Sequence, residues 1–544
     1  MAFHGYDKIK ALIIDDFNNF RMTVGKMLDE FGCQDVVSAV NGQVALKQCQ
    51  DKSFDLVLCD YNLGSGKNGQ QVLEELRHKK LLKREALFLM VSAESSMTIV
   101  LSAYDYAPDA YLTKPITGKT LQKRLDRLLA QRQEMLPVFQ CLNNDRVDDA
   151  IKLSRQAITN GSRYSATYQK MLGELLIQTE DLDAAEQIYK QVLEARALDW
   201  AQVGMARCKI GKGEYDTAIG WLNKIISDHP YCMQAYDVLA EVFGKMGDNE
   251  SMQKALESAV KVSPMSILRQ TSLGQTAVIN NDVSVAARAF NLSVKLGKNS
   301  CHDNINNHMQ LGRASIALFN EGDDKAQDLA KESLRVLDNL GKNFDIDESL
   351  QTQTKMLKCQ LLSKRGETRQ ATDLFSELSD SVDLITDMIT LDAELDWANT
   401  LVVLGKKSDA DFFLTDLLDK YKDDQTALAR IDQLLSEPVS DVNRKKVARL
   451  NKEGIGYYNE QDYKLAVDCF VRAKRLFPNH VGVHLNLVQA LLAEIKEFGS
   501  SEEHLNTCVT ALAKVESIVD GQHEQFSRFL QLKDMVRIAE RENR

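Results

Sequence analysis

The segment Lys10-Ala11-Leu12-Ile13-Ile14-Asp15-Asp16 decides how the first quarter of the chain is read: a short, largely apolar run of strand type ends on two adjacent carboxylates. Three more such runs follow, Phe54 to Cys59, Ala86 to Val91 and Ala110 to Leu112, with helix-like segments between them. Each again leads into a chemically distinctive group: Asp60, Ser92 and Lys114-Pro115. Strands that alternate with helices predict a doubly wound parallel α/β sheet, in which ligand sites collect at the carboxyl ends of the strands. All four groups fall at such ends.

Three carboxylates drawn together repel one another and resist full ionisation unless a cation neutralises them. A hard divalent ion suits oxygen ligands, so the pattern predicts Mg²⁺, with Asp16 and Asp60 as direct ligands, Asp15 acting through water and the backbone carbonyl of Asn62 adding a further oxygen. One oxygen of Asp60 is then left to attack a phosphorus atom. Lys114 and the metal would stabilise the charge that spreads in the transition state, and Ser92 would donate a hydrogen bond to the phosphoryl group. The proline after Lys114 predicts a cis Lys114-Pro115 bond that aims the lysine. Taken singly, a surface Asp-Asp pair or a Lys-Pro dipeptide is an ordinary solvated turn; it is their order and placement at strand ends that point to phosphoryl chemistry.

The segments Ile13-Ile14-Asp15-Asp16-Phe17, Leu58-Cys59-Asp60-Tyr61-Asn62-Leu63, Val91-Ser92-Ala93-Glu94 and Tyr111-Leu112-Thr113-Lys114-Pro115 carry a family likeness. Residues 8–132 resemble the flavodoxin-like receiver domain of bacterial two-component response regulators. The resemblance implies that Asp60 is the phosphoacceptor of a histidine kinase, that Ser92 moves toward the phosphoryl group and that Tyr111 swings inward behind it. Asn62 and Glu94 stand where chemotaxis-type receivers carry the residues that flank the site, which implies a short-lived aspartyl phosphate. Enzymatic activity is expected to be limited to self-phosphorylation and autodephosphorylation at Asp60. The loop Leu63-Gly64-Ser65-Gly66-Lys67-Asn68-Gly69 departs from the family in being one residue longer, with Gly64 where proline is common, and it is expected to be more mobile.

At 544 residues the chain exceeds one compact domain, and its 44% hydrophobic and 27% charged residues are those of an ordinary soluble protein. No apolar stretch approaches the ~20 residues of a membrane-spanning helix, and the first residues lack a signal-peptide pattern, so a cytoplasmic protein without membrane contact is expected. Ten cysteines show neither a Cys-x-x-Cys pair nor zinc-type spacing, which predicts neither disulfides nor structural zinc. A net charge of −11 argues against a nucleic-acid surface.

Past Arg132 the strand signal vanishes and a repeat begins. A small residue, a bulky one four places on and a third core residue three further recur as Ala185/Tyr189/Val192, Ala218/Leu222/Ile225, Met252/Leu256/Ala259, Ala286/Phe290/Ser293, Ala371/Phe375/Leu378, Ala410/Leu414/Leu417 and Ala466/Phe470/Ala473. The first steps are 33, 34 and 34 residues, the tetratricopeptide (TPR) period of two antiparallel helices. Gly173, Ala240, Gly274 and Gly454 fall twelve residues before the small residue, where two helices must approach closely, and Pro230, Pro264 and Pro478 fall twelve after it, where the second helix has to stop. Ala150/Ser154/Ala157 reads as a degenerate first unit. Steps of 40, 45, 39 and 56 from Ala286 through Ala326, Ala371 and Ala410 to Ala466 predict longer helices or extra elements across 301–447.

The expected organisation is therefore a receiver over 8–132, an all-α TPR-type superhelical solenoid over 133–500, and capping helices with polar outer faces over 501–544. The last receiver helix, with Leu121, Leu125, Leu128 and Leu129, is expected to enter the repeats through a linker of a few residues without Gly/Ser slack. Three decoys are set aside: Glu85-Ala86-Leu87 lacks a following metal-ligand set, His480 and His484 lack a third ligand, and Gly454-x-Gly456 follows no strand. The expected function is a response regulator that binds a protein or peptide partner through its repeats under phosphorylation control, as a monomer or homodimer. The alternatives are a phosphate sink for a shared kinase, an inhibitor of a second-messenger enzyme, and a transcription regulator.

Overall fold

A computed structural model describes residues 3–93, 96–321, 325–379, 390–499 and 501–542. Five strands, β1 (Lys10–Ile14), β2 (Asp35–Ala39), β3 (Leu56–Asp60), β4 (Leu87–Ser92) and β5 (Ala110–Thr113), form one parallel sheet in the order β2-β1-β3-β4-β5. They alternate with α1 (Asn18–Glu30), α2 (Gly42–Asp51), α3 (Gly69–His78), α4 (Met97–Tyr104) and α5 (Gly118–Asn143). Because strand side chains alternate between faces, Ile13, Leu56, Leu58, Leu89 and Val91 pack with Val24, Leu28, Leu121 and Leu125 of α1 and α5 on one side. Leu12, Ile14, Val57, Phe88 and Met90 pack with Ala45, Val72, Leu76 and Ala103 on the other. Each fully buried Leu, Ile, Val or Phe stabilises this core by about 1.5–3 kcal/mol. The edge strand β2 is only partly buried, with Asp35 and Ser38 facing solvent, which is why no apolar run announces it.

The structure replaces the expected linker with a helix. α5 runs 26 residues across the 132/133 boundary. Its first half gives Leu121, Leu125 and Leu129 to the α/β core, and its second half gives Met135, Val138, Phe139 and Leu142 to a cluster with Ala150, Tyr168 and Leu175 of the helices that follow. Pro137 removes one intrahelical hydrogen bond, but both halves are pinned by packing and the helix continues through it.

Helices α6 (Val147–Thr159), α7 (Ser165–Gln178), α8 (Leu182–Ala195), α9 (Asp199–Gly211), α10 (Tyr215–Asp228), α11 (Met233–Met246), α12 (Asn249–Val262), α13 (Ile267–Ile279) and α14 (Val283–Gly297) follow as antiparallel hairpins. The repeat residues are core: Ala185, Tyr189, Ala218, Leu222, Leu256, Ala286 and Phe290 are buried. The glycines sit where the periodicity puts close approach. A Cβ on Gly173 of α7 would lie 2.5 Å from the Tyr189 ring, one on Gly204 of α9 2.3 Å from the same ring, and one on Gly274 2.8 Å from Phe290. Pro230 and Pro264 each stand two residues past a helix end.

The chain divides into two compact units, residues 1–279 with 285–307, and residues 280–284 with 308–544. In the second unit the irregular spacing has the expected origin: 17-residue helices at Ile305–Glu321 and Glu348–Lys364, and short extra helices at Leu340–Asn343 and Gln425–Ile431. Regular pairing returns with Asp441–Asn459 and Tyr463–Leu476, where a Cβ on Gly454 would meet Phe470 at 2.8 Å. The final helices are Glu502–Glu516 and Phe526–Glu542. Their outer surface differs from the polar cap expected, since Leu530, Met535 and Ile538 are 46%, 45% and 55% exposed. No helix among the described residues is long and apolar enough to cross a membrane.

Candidate functional site

The parallel sheet brings Asp15, Asp16, Asp60, Ser92 and Lys114 to one end. β1 and β3 are adjacent, so Asp15-Asp16 and Asp60 emerge side by side, and β4 and β5 deliver Ser92 and Lys114 next to them. The three carboxylates each place an oxygen within 4.8 Å of the others. Their environments differ: Asp15 is fully buried, Asp60 is 6% exposed and Asp16 is exposed. An all-oxygen set of two or three carboxylates is the donor chemistry of a hard divalent cation.

Lys114 Nζ bridges the buried pair, 2.8 Å from Asp15 Oδ2 and 2.7 Å from Asp60 Oδ2, and sits 4.1 Å from the centre of the Phe20 ring. Burial raises the pKa of Asp60, and the Lys114 ammonium beside it and the Asn62 backbone amide work in the opposite direction. Burial likewise opposes the charge on Lys114, but the hydrogen bonds to Asp15 and Asp60 outweigh it and raise its pKa. Asp15 is fixed further by the Phe17 amide, which donates to Oδ1 at 2.8 Å, and by Arg21, which donates to its carbonyl at 2.7 Å.

Ser92 is 1% exposed at the end of β4, and its carbonyl accepts from the Lys114 amide at 2.8 Å. The Lys114-Pro115 bond is cis. Tyr111 is half-buried on β5 and packs against the cluster that holds Met90 and Ala103. Asn62 is exposed, with Oδ1 accepting from the Gly64 amide at 3.2 Å. Glu94 lies outside the described residues. Two contributors went unread in the sequence. Phe20 lies on a helix face with no motif to mark it, whereas Gly69, which opens α3, has a distinct reason: a Cβ there would stand 2.1 Å from the Asp60 carbonyl.

The loop after β3 also has a definite path. Gly64 and Gly66 take φ of +73° and +104°; proline is confined near −65°, so it could not occupy position 64 in this conformation. The loop expected to be slack is anchored on the turn after α14. Asn299 Nδ2 donates to the Gly66 carbonyl at 3.1 Å, Lys67 Nζ donates to the Asn299 carbonyl, and Gln71 Nε2 donates to the Lys298 carbonyl at 3.0 Å. A second contact lies at the end of α4. Arg269 of α13 sets Nη1 2.8 Å from Asp105 Oδ1 while its Nε and Nη2 bond both oxygens of Asp237 at 2.7 and 2.8 Å. Burial raises the pKa of Asp105, with Arg269 acting against it.

Residues 11–126 match the family described as the response regulator receiver domain, and residues 169–197 match the tetratricopeptide repeat. The chemotaxis protein CheY-3 of Vibrio cholerae is 32% identical over 120 residues, covering 22% of this chain and 91% of that protein. The chemotaxis protein CheY of Pseudomonas aeruginosa is 28% identical over 120 residues, covering 22% of this chain and 95% of that protein. Among solved structures, that of V. cholerae CheY4 at low pH shares 28% identity over 22% of this chain and 98% of its own length, with a TM-score of 0.21. The two chemotaxis proteins are matched almost end to end, by 22% of this chain that lies in the α/β domain.

Proposed function

The chain belongs to the response regulators, and from that membership we propose that it takes a phosphoryl group from a histidine kinase onto Asp60 and uses its repeats to bind a protein partner under the control of that phosphate. The observation that carries this reading is the buried Asp60 carboxylate at the end of β3, charge-compensated by a lysine shared with Asp15. A side chain so placed is held at one orientation, and its neighbours already balance negative charge.

In this reading an oxygen of Asp60 attacks the phosphorus carried by the kinase imidazole, the P–N bond breaks and the imidazole leaves. Lys114 turns from the Asp60 carboxylate to the incoming phosphoryl oxygens, and the Ser92 hydroxyl donates to another of them. Mg²⁺, held by Asp16 and Asp60 with the Asn62 carbonyl and, through water, Asp15, would neutralise the phosphoryl oxygens. Tyr111 moves inward behind Ser92, and Asn62 and Glu94 set how fast water removes the phosphate. The switch can reach the repeats because Asn299 holds the loop that follows Asp60 and Arg269 holds the end of α4.

Incubation of the full chain with Mg²⁺ and acetyl phosphate should label wild type and leave Asp60→Asn unlabelled. Pull-downs from extract of wild type with and without beryllofluoride, beside Asp60→Asn, then test the second half of the reading. An unlabelled wild type would overturn the proposal outright; normal labelling with identical partner recovery in all arms would reduce it to a phosphate sink.

A further inference from the structure

Away from the acidic pocket, the structure gathers soft and borderline ligands where the α/β domain meets the repeats. Cys301 and His302, in the turn after α14, face His78, the last residue of α3. Cys301 Sγ and one ring nitrogen from each histidine lie within 4.8 Å of one another. The imidazoles meet edge to face with centroids 5.4 Å apart, and the His302 ring stacks on Tyr106 at 6.1 Å and 15°. Beneath them lies Glu74, a carboxylate only 2% exposed. Its Oε1 is 3.4 Å from Cys301 Sγ and 3.5 Å from His302 Nε2, and it accepts from the Ser300 hydroxyl.

We propose that Cys301, His302 and His78 form a Zn²⁺ site that bridges α3 and the repeat turn, with water as the fourth ligand and Glu74 as a neighbouring carboxylate. The donor set argues for this ion. One thiolate and two imidazoles suit a borderline-soft, four-coordinate metal, whereas the all-oxygen pocket at Asp60 suits a hard one. The spacing argues for it too. Bonds of ~2.0–2.3 Å in a tetrahedron place ligand atoms about 3.5 Å apart, and the donor atoms of Cys301, His302 and His78 all lie within 4.8 Å of one another. Glu74, held by the Ser300 hydroxyl, is placed to accept from Cys301 and His302 as an outer carboxylate that orients them. Spacing along the chain could not show this group, since His78 and Cys301 are 223 residues apart and the adjacent pair Cys301-His302 matches no zinc motif. The site bridges the receiver and the repeats, so an ion in it would clamp the two together.

The test is titration of chelator-treated full-length protein with ZnCl₂, followed by calorimetry, in excess Mg²⁺ so that the carboxylate pocket is occupied. One Zn²⁺ per chain is expected, with affinity at least tenfold lower in His78→Ala and in Cys301→Ser and unchanged in Asp16→Asn. His78 is exposed, so its replacement tests the site without disturbing a core. Co²⁺ in place of Zn²⁺ should show a thiolate charge-transfer band that Cys301→Ser abolishes. Unchanged affinity in His78→Ala, a Co²⁺ complex without the thiolate band, or binding lost in Asp16→Asn instead would each overturn the assignment. None of these measurements involves phosphorylation, so the result stands apart from the fate of the Asp60 reading.

Discussion

Arg269→Met should loosen the receiver from the repeats by an amount that the burial of its two partners fixes. Asp237, with its side chain 42% exposed, keeps water when the guanidinium goes, so its loss is at most about 1 kcal/mol. Asp105 is different, because its side chain is 8% exposed and would be left as an unpaired charge, which costs about 3–5 kcal/mol. Two routes relieve part of that cost: Asp105 can take up a proton, or the end of α4 can part from α12 and α13 and hydrate. The expected loss in local stability of α4, β5 and α13 is therefore about 2–4 kcal/mol at pH 8. The sign of its pH dependence follows from Asp105. Its folded pKa is raised above the ordinary 3.8, so the folded state holds the proton more tightly and stability falls as pH rises through the folded value. Removing Arg269 raises that value further, so the deficit should shrink as pH falls from 8 to 5. Hydrogen exchange by mass spectrometry, corrected for intrinsic rates, reads both quantities. A cycle with Asp105→Asn should give a coupling of about 2 kcal/mol. Coupling below about 0.5 kcal/mol, or a deficit that ignores pH, would refute the reasoning.

Four other outcomes are expected. Lys114→Met leaves Asp15 and Asp60 facing each other without their shared ammonium, so thermal melts without Mg²⁺ should show a loss of about 2–4 kcal/mol at pH 8, largely regained with millimolar Mg²⁺. Gly204→Ala forces a methyl to within 2.3 Å of the Tyr189 ring and should cost about 1–3 kcal/mol by urea unfolding, despite the better helix propensity of alanine. Gly220→Ala on the exposed face of α10, with nothing within 4 Å, should instead stabilise by about 0.5–1 kcal/mol. His484 is buried neutral with Nε2 2.8 Å from the Pro478 carbonyl, and burial pushes its pKa down to about 4. Below pH 6.5 the unfolded chain takes the proton first, so stability should decline from there toward pH 4 by up to about 3 kcal/mol in urea titrations, a slope that His484→Gln flattens.

The α/β fold was legible because its central strands are buried on both faces and so read as unbroken apolar runs, while the exposed edge strand β2 has no such run. The acidic pocket was legible because strand ends are close in sequence to the groups they deliver. The repeat core could be read from small residues, since only glycine admits the Tyr189, Phe290 and Phe470 rings at those crossings without displacement. What escaped was long-range and polar. Arg269 and Asp105, or Asn299 and Gly66, are separated by more than 160 residues and carry no periodic signature. Pro137 lies inside α5, where local chemistry would end a helix, and tertiary packing on both sides of it carries the helix through.

The continuity of α5 changes what a phosphate-driven switch would have to do. A receiver joined by a slack linker must hold its docking site with a large interface, because release sets it free over a wide volume. Here α5 belongs to both cores, so docking is intramolecular and the effective concentration of one surface at the other is high. A few hydrogen bonds at about 0.5–1.5 kcal/mol each are then enough to hold the loop at Asn299, Lys298 and Gln71. The same arithmetic makes the contact easy to reverse. If a phosphoryl group on Asp60 moves the Gly64-Asn68 loop far enough to break two of those bonds, the docking equilibrium constant falls by roughly tenfold, at 1.4 kcal/mol per decade. The motion expected from this proposal would be a pivot about α5 that keeps the receiver beside the repeats and uncovers the Arg269 and Asn299 surfaces together.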